Sequence, residues 1–405
     1  MIDEQLEFRK LNVIHFFQNQ IIREKRDRQK KNMEYTEKFN EVLKYLLEQN
    51  YVEAKKTCKT LKKCLKWLLF LELQYYCSVL EYIFPSDENL AFVFNFSVKH
   101  IEKFKQNVQK KLPVNSFIEK TYKNFIDFKE QEEKYKTLSK KNIAVCATMS
   151  AGKSTFVNAL LGRDVLPVRS EATTSKITSV YDNDHSKCLL GFVEDDNRIE
   201  HCCSDVNHSI INGWNDNPDV NRIYLQGNLD GIGNNGIITV VHDTPGTNYS
   251  GDDSHHNITL NFLSSNKFDA LIYVANATQL CTTDEKFMLK EIYEKILQKT
   301  SMPMIFILNK VDCLDSEKEN ISDIIERYRS YLDEIGFKNA VIFPISSKAA
   351  RILKMIKNNM SEKLTGKEKK ELKNIQILFP DLISTGLPEI EKYIETIIGG
   401  NNDKY

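Results

Sequence analysis

Residues 147 to 154 read Ala-Thr-Met-Ser-Ala-Gly-Lys-Ser, between the apolar run Ile143-Ala144-Val145-Cys146 and a segment, Thr155 to Leu161, that continues as a helix. A strand that turns through such a loop into a helix aims backbone N–H groups and a helix N-terminus at one point, the arrangement that cradles phosphate. Gly152 permits close backbone approach, Lys153 supplies positive charge, and Ser154 offers a hydroxyl to Mg²⁺. Met149, Ser150, Ala151 and Thr155 complete the candidate lining. Ala147 stands where such loops open with glycine, and its Cβ fits if the backbone stays in the allowed β region.

From Asn142 onward, short apolar runs alternate with polar loops and amphipathic segments. After Ile143–Cys146 come Ile237–Val241, Ala270–Val274, Pro303–Leu308 and Ala340–Pro344. Runs of this length separated by helical stretches predict a mostly parallel sheet with helices on both faces, an α/β fold. A final helix is expected over Leu387 to Ile398, ending at Gly399-Gly400. A Lys-rich stretch between Ala349 and Asp381 reads as a solvated helical insertion without a binding role.

Three strand ends carry further polar groups. Asp243-Thr244-Pro245-Gly246 follows Ile237–Val241; the aspartate is placed to hold a Mg²⁺-bound water, and the Gly246 N–H to meet a γ-phosphate. Asn309-Lys310-Val311-Asp312 caps the next-but-one strand. A carboxylate at Asp312 can accept from guanine's ring N–H and exocyclic amine together, which adenine cannot offer, while the Lys310 stem lies along base and ribose. Ser346-Ser347-Lys348 can close over the base with a backbone N–H. Between the loop and Asp243, the run Leu166 to Thr174 is a candidate switch whose threonine would reach Mg²⁺ and γ-phosphate. Alone, each segment could be an ordinary strand-to-helix turn; their order and placement point to a guanine-nucleotide site.

The segment from Ile2 to Lys140 has no glycine and prolines only at Pro85 and Pro113. Apolar residues recur at helical spacing (Leu43, Leu46, Leu47; Leu65, Leu68, Leu69, Leu73), so about five helices in an antiparallel bundle are expected. The domains read as 1–140 for the bundle, 141–400 for the α/β domain with its insertion at 349–381, and 401–405 as a tail. The whole chain has net charge +0, which excludes a global field for nucleic acid; the first 140 residues carry roughly +7 and the rest roughly −7. Nine cysteines without an even framework, and an acidic start at Met1-Ile2-Asp3-Glu4, suit a reducing cytosol. Leu65 to Phe84 is interrupted by Lys66, Glu72 and Glu81 and reads as a buried helix rather than a span.

The string Ser150-Ala151-Gly152-Lys153-Ser154-Thr155-Phe156-Val157-Asn158-Ala159-Leu160-Leu161-Gly162-Arg163-Asp164-Val165-Leu166-Pro167 resembles the GTPase domain of the dynamin superfamily, particularly bacterial dynamin-like proteins. The Leu-Pro leading to a switch threonine at Thr174 is similar to that family, as is the long interval to Asp243. The resemblance covers about Asn142 to Gly400, and leading helices also suit it. It implies a P-loop GTPase fold, with GTP or GDP, Mg²⁺ on Ser154, Thr174 and Asp243, and a monovalent cation as a further candidate. It implies GTP hydrolysis served by Ser150, Lys153, Thr174 and Gly246, a homodimer formed through the G domains, and membrane remodelling.

Two departures stand out. Met149 and Thr247 occupy positions where a glutamine could orient water, so slow intrinsic turnover is expected. The stalk and membrane tip that normally follow are not in the sequence, so a partner protein is expected to supply a stalk, at a cytoplasmic location peripheral to a membrane surface. The rival readings are a regulatory switch whose helical bundle binds a protein partner, and a nucleotide binder without hydrolysis. No nucleic acid is expected. His201, Cys202, Cys203 and His208 read as a polar loop rather than a zinc site, His255-His256 as a solvated pair, and the basic stretch Arg23 to Lys31 as a solvated helix face.

Overall fold

The computed structural model describes residues 130–168, 176–195, 199–202, 205–233, 236–246, 253–300, 302–315 and 319–399, with scattered positions before residue 129. The chain divides into two compact units, 1–137 and 138–405. Among the described residues of the first unit every assigned element is helical. There Asn12 Nδ2 donates to Glu132 Oε1 at 3.0 Å, and burial pushes that carboxyl up to about 7. Most of the expected bundle, and the 401–405 tail, lie outside the described residues.

The second unit is built on one nine-stranded sheet in the order β4-β3-β5-β2-β6-β1-β7-β8-β9. Its strands are β1 Ser139–Cys146, β2 Ile177–Asp182, β3 Leu190–Asp195, β4 Ile199–Cys202, β5 Val220–Gly227, β6 Ile237–Asp243, β7 Ala270–Asn276, β8 Met304–Asn309 and β9 Val341–Ile345. Its helices are α1 Lys153–Leu161, α2 His208–Asp216, α3 Asp253–Ser265, α4 Thr283–Lys295, α5 Ile321–Ile335, α6 Ser347–Lys357, α7 Gly366–Leu378 and α8 Leu387–Ile398. β6, β1, β7, β8 and β9 form a parallel block, and β2 joins it antiparallel to β6. β1 starts at Ser139, so Ser139 and Lys140 belong to the sheet.

Period-two alternation along β1 explains why the apolar runs are continuous. Ile143 and Val145 face Phe156, Val157 and Leu160 of α1 with Ile390 and Ile394 of α8. Ala144 and Cys146 face the other side, with Met288, Leu289 and Ile292 of α4 and Tyr328 and Leu332 of α5. Both faces are covered, so the strands need apolar residues at every position. Among the described residues, no helix is long and apolar enough to cross a membrane.

One expectation needs correction. The stretch 349–381 is not a single solvated insertion. α6 carries fully buried Ala350, Ile352 and Lys354, and it packs against α1 and the sheet. α7 and its flanks show lysines to the outside, as does Lys357 at the end of α6. Lysine content misled here because Lys354 is buried with a partner.

Candidate functional site

The site lies at the C-terminal ends of β1, β6, β8 and β9, beside the point where chain connections leave β1 and β6 in opposite directions, where α/β sheets place ligands. After β1 the backbone takes left-handed φ at Ser150 (59°) and Gly152 (91°), which turns successive N–H groups inward. Ala147 is buried and is not among the residues of positive φ, so its Cβ brings no strain. A Cβ added at Gly152 would lie 2.2 Å from Asn309 Nδ2, so the glycine is demanded by space as well as by angle.

Lys153 and Ser154 open α1 and are nearly buried. The Lys153 ammonium pairs with Asp243 Oδ1, and Ser154 Oγ donates to Asp243 Oδ2 at 3.0 Å. Asp243 is fully buried at the end of β6. A hydroxyl and a carboxylate side by side are a hard-oxygen donor set, and with the inward-turned loop they fit Mg²⁺ and a phosphate chain. Thr244 Oγ1 donates to Val145 O at 2.9 Å, locking the loop after β6 to β1. Thr259 on α3 holds Pro245 O at 3.0 Å. The Gly246 backbone adjoins Met149, since an added Cβ would lie 3.5 Å from the Met149 Cα. Thr174 and Thr247 lie outside the described residues.

Asn309 joins three segments. Its Nδ2 donates to Ala151 O at 2.8 Å, and its Oδ1 accepts from Ser347 N–H at 3.1 Å. Lys310 takes a left-handed φ of 68°, rare for a residue with a side chain, and starts the 3-10 turn Val311–Cys313 that presents half-buried Asp312. Cys313 Sγ lies 3.6 Å from Asp312 Oδ2. Ser346 is buried and caps α6 by accepting from Ala349 N–H at 3.2 Å. Ser347 is also buried, whereas the Lys348 ammonium is bound at 2.6 Å by Glu371 of α7.

Three features were not read from the sequence. Asn158 is fully buried; its Oδ1 accepts from Val165 and Leu166 N–H (3.2 and 2.9 Å), and its Nδ2 donates to Leu166 O (2.9 Å), shaping the turn that leads to the switch run. His242, beside Asp243, is held by residues of three other strands. Arg222 donates to its Nδ1 at 3.4 Å and Ser179 Oγ lies 2.9 Å away, so Nδ1 accepts and Nε2–H donates to Asn142 Oδ1 at 3.1 Å. Burial pushes this ring down to about 3, with Arg222 adding to the shift, so it is neutral. His256 is not in a solvated loop: it is buried on α3, 2.5 Å from Glu291 of α4. Burial alone would raise the Glu291 carboxyl, but hydrogen bonds from Lys295 and His256 hold it below its ordinary range. A histidine inside an apolar strand was the only signal of the His242 network. Among the described residues no cluster of His, Cys, Asp and Glu could hold a metal ion.

The family comparison falls on most of the residues that build this site. Residues 143–311 match the model of the dynamin family. An uncharacterized protein from the xynA 3′ region of Caldicellulosiruptor sp. is 28% identical over 223 residues, 53% of this chain and 51% of that protein. The chain thus spans about half the length of the curated relative it matches. Among solved structures, an oligomerised bacterial dynamin pair, described as providing a mechanism for long-range sensing and tethering of membranes, aligns with TM-score 0.41 and 19% identity, covering 78% of this chain and 52% of the other. Era from Aquifex aeolicus aligns with TM-score 0.31 and 18% identity, over 56% and 58%. The family match falls on the loop, the Asp243 strand end and most of the Asn309 segment, so this part of the α/β unit is similar to the dynamin family.

Proposed function

We propose that the chain binds GTP with Mg²⁺ and hydrolyses it, acting through nucleotide-dependent pairing of G domains. The observation that carries this reading is the meeting of Lys153, Ser154 and Asp243 at two neighbouring strand ends, with Asn309 tying the phosphate loop to the base-side segments. Asp312 selects guanine by its two-proton edge, and the Ser347 segment closes over the base. Lys153 and the loop N–H groups are preorganised donors for negative charge on the γ-phosphate during in-line attack of water. Mg²⁺, held by Ser154 and the Asp243 side with Thr174 of the switch run, would supply further charge neutralisation. Ser150 and the Gly246 N–H are the remaining groups on the γ-phosphate side.

Met149 favours a second reading. Its thioether beside Gly246 is too weak an acceptor to orient water, so a lone copy turns over slowly. Either a second copy completes the site, in the service of membrane remodelling, or the chain is a regulatory switch whose helical segment binds a protein partner. Phosphate release measured across a protein concentration series, against Lys153→Ala, decides. Turnover per molecule that rises with concentration supports pairing; a flat line leaves the switch. Release that Lys153→Ala does not reduce removes hydrolysis at this site. Calorimetry with ATP and GTP tests the base, and equal capture of both would overturn the role of Asp312.

A further inference from the structure

α7 carries lysines and exposed aliphatics on one outward face. With 100° between successive residues, Glu368, Leu372 and Ile375 mark the inward face, packed toward α6. Lys370, Lys373 and Ile377, spaced i, i+3 and i+7, line the opposite side, with Lys367, Lys369 and Leu378 flanking them. Ile377 is 78% exposed, Leu378 59%, and Ile383, in the 3-10 turn that follows, 75%. Single exposed aliphatics are unremarkable, but three of the seven exposed large hydrophobics among the described residues fall within this short stretch.

The charge beside them is uncompensated. Glu368 pairs with Arg351 and Glu371 with Lys348, so cations of α6 neutralise both carboxylates of α7. Lys367 reaches Glu371 only at 4.0 Å, and Lys370 and Lys373 pair with no carboxylate among the described residues. The aliphatics protrude instead of lining a recess. A rigid protein would need matching pockets for them, whereas a bilayer yields around them while its anionic headgroups meet the lysines.

We infer that the outward face of α7 and the turn after it dock on an anionic lipid surface, with Lys370 and Lys373 at the headgroups and Ile377, Leu378 and Ile383 at the acyl boundary. This surface does not depend on nucleotide hydrolysis. The test is co-sedimentation of the full chain with phosphatidylcholine vesicles, with and without about 30% phosphatidylglycerol, at low and raised salt. The wild-type chain is expected to bind the anionic vesicles and to be released by salt. Lys370→Glu/Lys373→Glu and Ile377→Ser/Leu378→Ser should each weaken binding by about tenfold or more. Fluorescent GDP affinity and melting temperature are expected unchanged in both variants, since all four residues are exposed. A failed nucleotide site would show in the GDP readout and leave vesicle binding untouched. Wild-type chain that ignores anionic vesicles overturns the inference and leaves an acidic protein surface as the occupant. Two folded variants that bind as the wild type does also overturn it, because the contact then lies elsewhere.

Discussion

Asn309 shows how one side chain can set the shape of a site. Its two bonds reach Ala151 and Ser347, which are far apart in sequence and both buried. Asn309→Ala would leave a carbonyl and an N–H buried without partners, each worth about 1–3 kcal/mol. We expect a fall in stability of that order and weaker GDP binding, read by denaturant melts and fluorescence titration; an unchanged melt would remove the structural role. Asp182, fully buried at the end of β2, makes a different prediction. Its Oδ1 accepts from Leu229 N–H at 2.9 Å, yet burial pushes its carboxyl up to about 8. The folded chain therefore holds a proton that the unfolded chain releases above the ordinary value of 3.8. The stability tied to that proton is complete below 3.8 and is lost as pH rises to about 8. Asp182→Asn cannot lose it. The unfolding free energy of the variant, from denaturant melts, should gain on that of the wild type between about pH 4 and pH 8, by on the order of a few kcal/mol, and level off above. A gap that stays flat with pH would mean that the carboxyl is ionised in the fold.

At the scale of elements, α6 is where sequence and structure part most clearly. The strands were legible because β1, β6, β7 and β8 are buried on both faces and show unbroken apolar runs; α8 was legible from its glycine end. Motif spacing placed Lys153 at the start of a helix after β1, and Asp243 and Asn309 at strand ends. α6 was not legible, because a lysine normally signals water. Lys354 is fully buried, donating to Leu160 O at 2.8 Å and Glu391 Oε1 at 2.6 Å, and so ties α1, α6 and α8 together. Burial lowers the lysine and raises the glutamate, and their pairing only partly offsets this, so the bridge is costly to keep and costlier to break. The His242 network was hidden for a related reason: Asn142, Ser179 and Arg222 meet only once the strand order is known. Lys354→Met should destabilise by about 3–5 kcal/mol by stranding Glu391, and Lys354→Met/Glu391→Leu should recover most of it. If the double variant is no better than the single one, the bond to Leu160 O, not the ion pair, holds the three helices.

For the whole molecule, the division at Thr137/Leu138 makes a claim about where nucleotide recognition resides. Every described group assigned to the phosphate, metal or base lies on an element that starts after Leu138, and β1, the strand leading into the loop, begins at Ser139. Among the described residues, the sheet's two covered faces draw their apolar residues from within the same unit, since both core clusters are built from residues 143 onward. A chain of residues 138–405 should therefore fold and bind GDP with a free energy within about 0.5 kcal/mol of the full chain, because independent units contribute additively. Calorimetric titration of both proteins is the measurement. Equal affinity would place any effect of the first unit on turnover or partner binding rather than on recognition. A folded 138–405 chain with much weaker GDP binding would mean that residues before 138 complete the site, and the helical segment would then be part of the nucleotide switch itself.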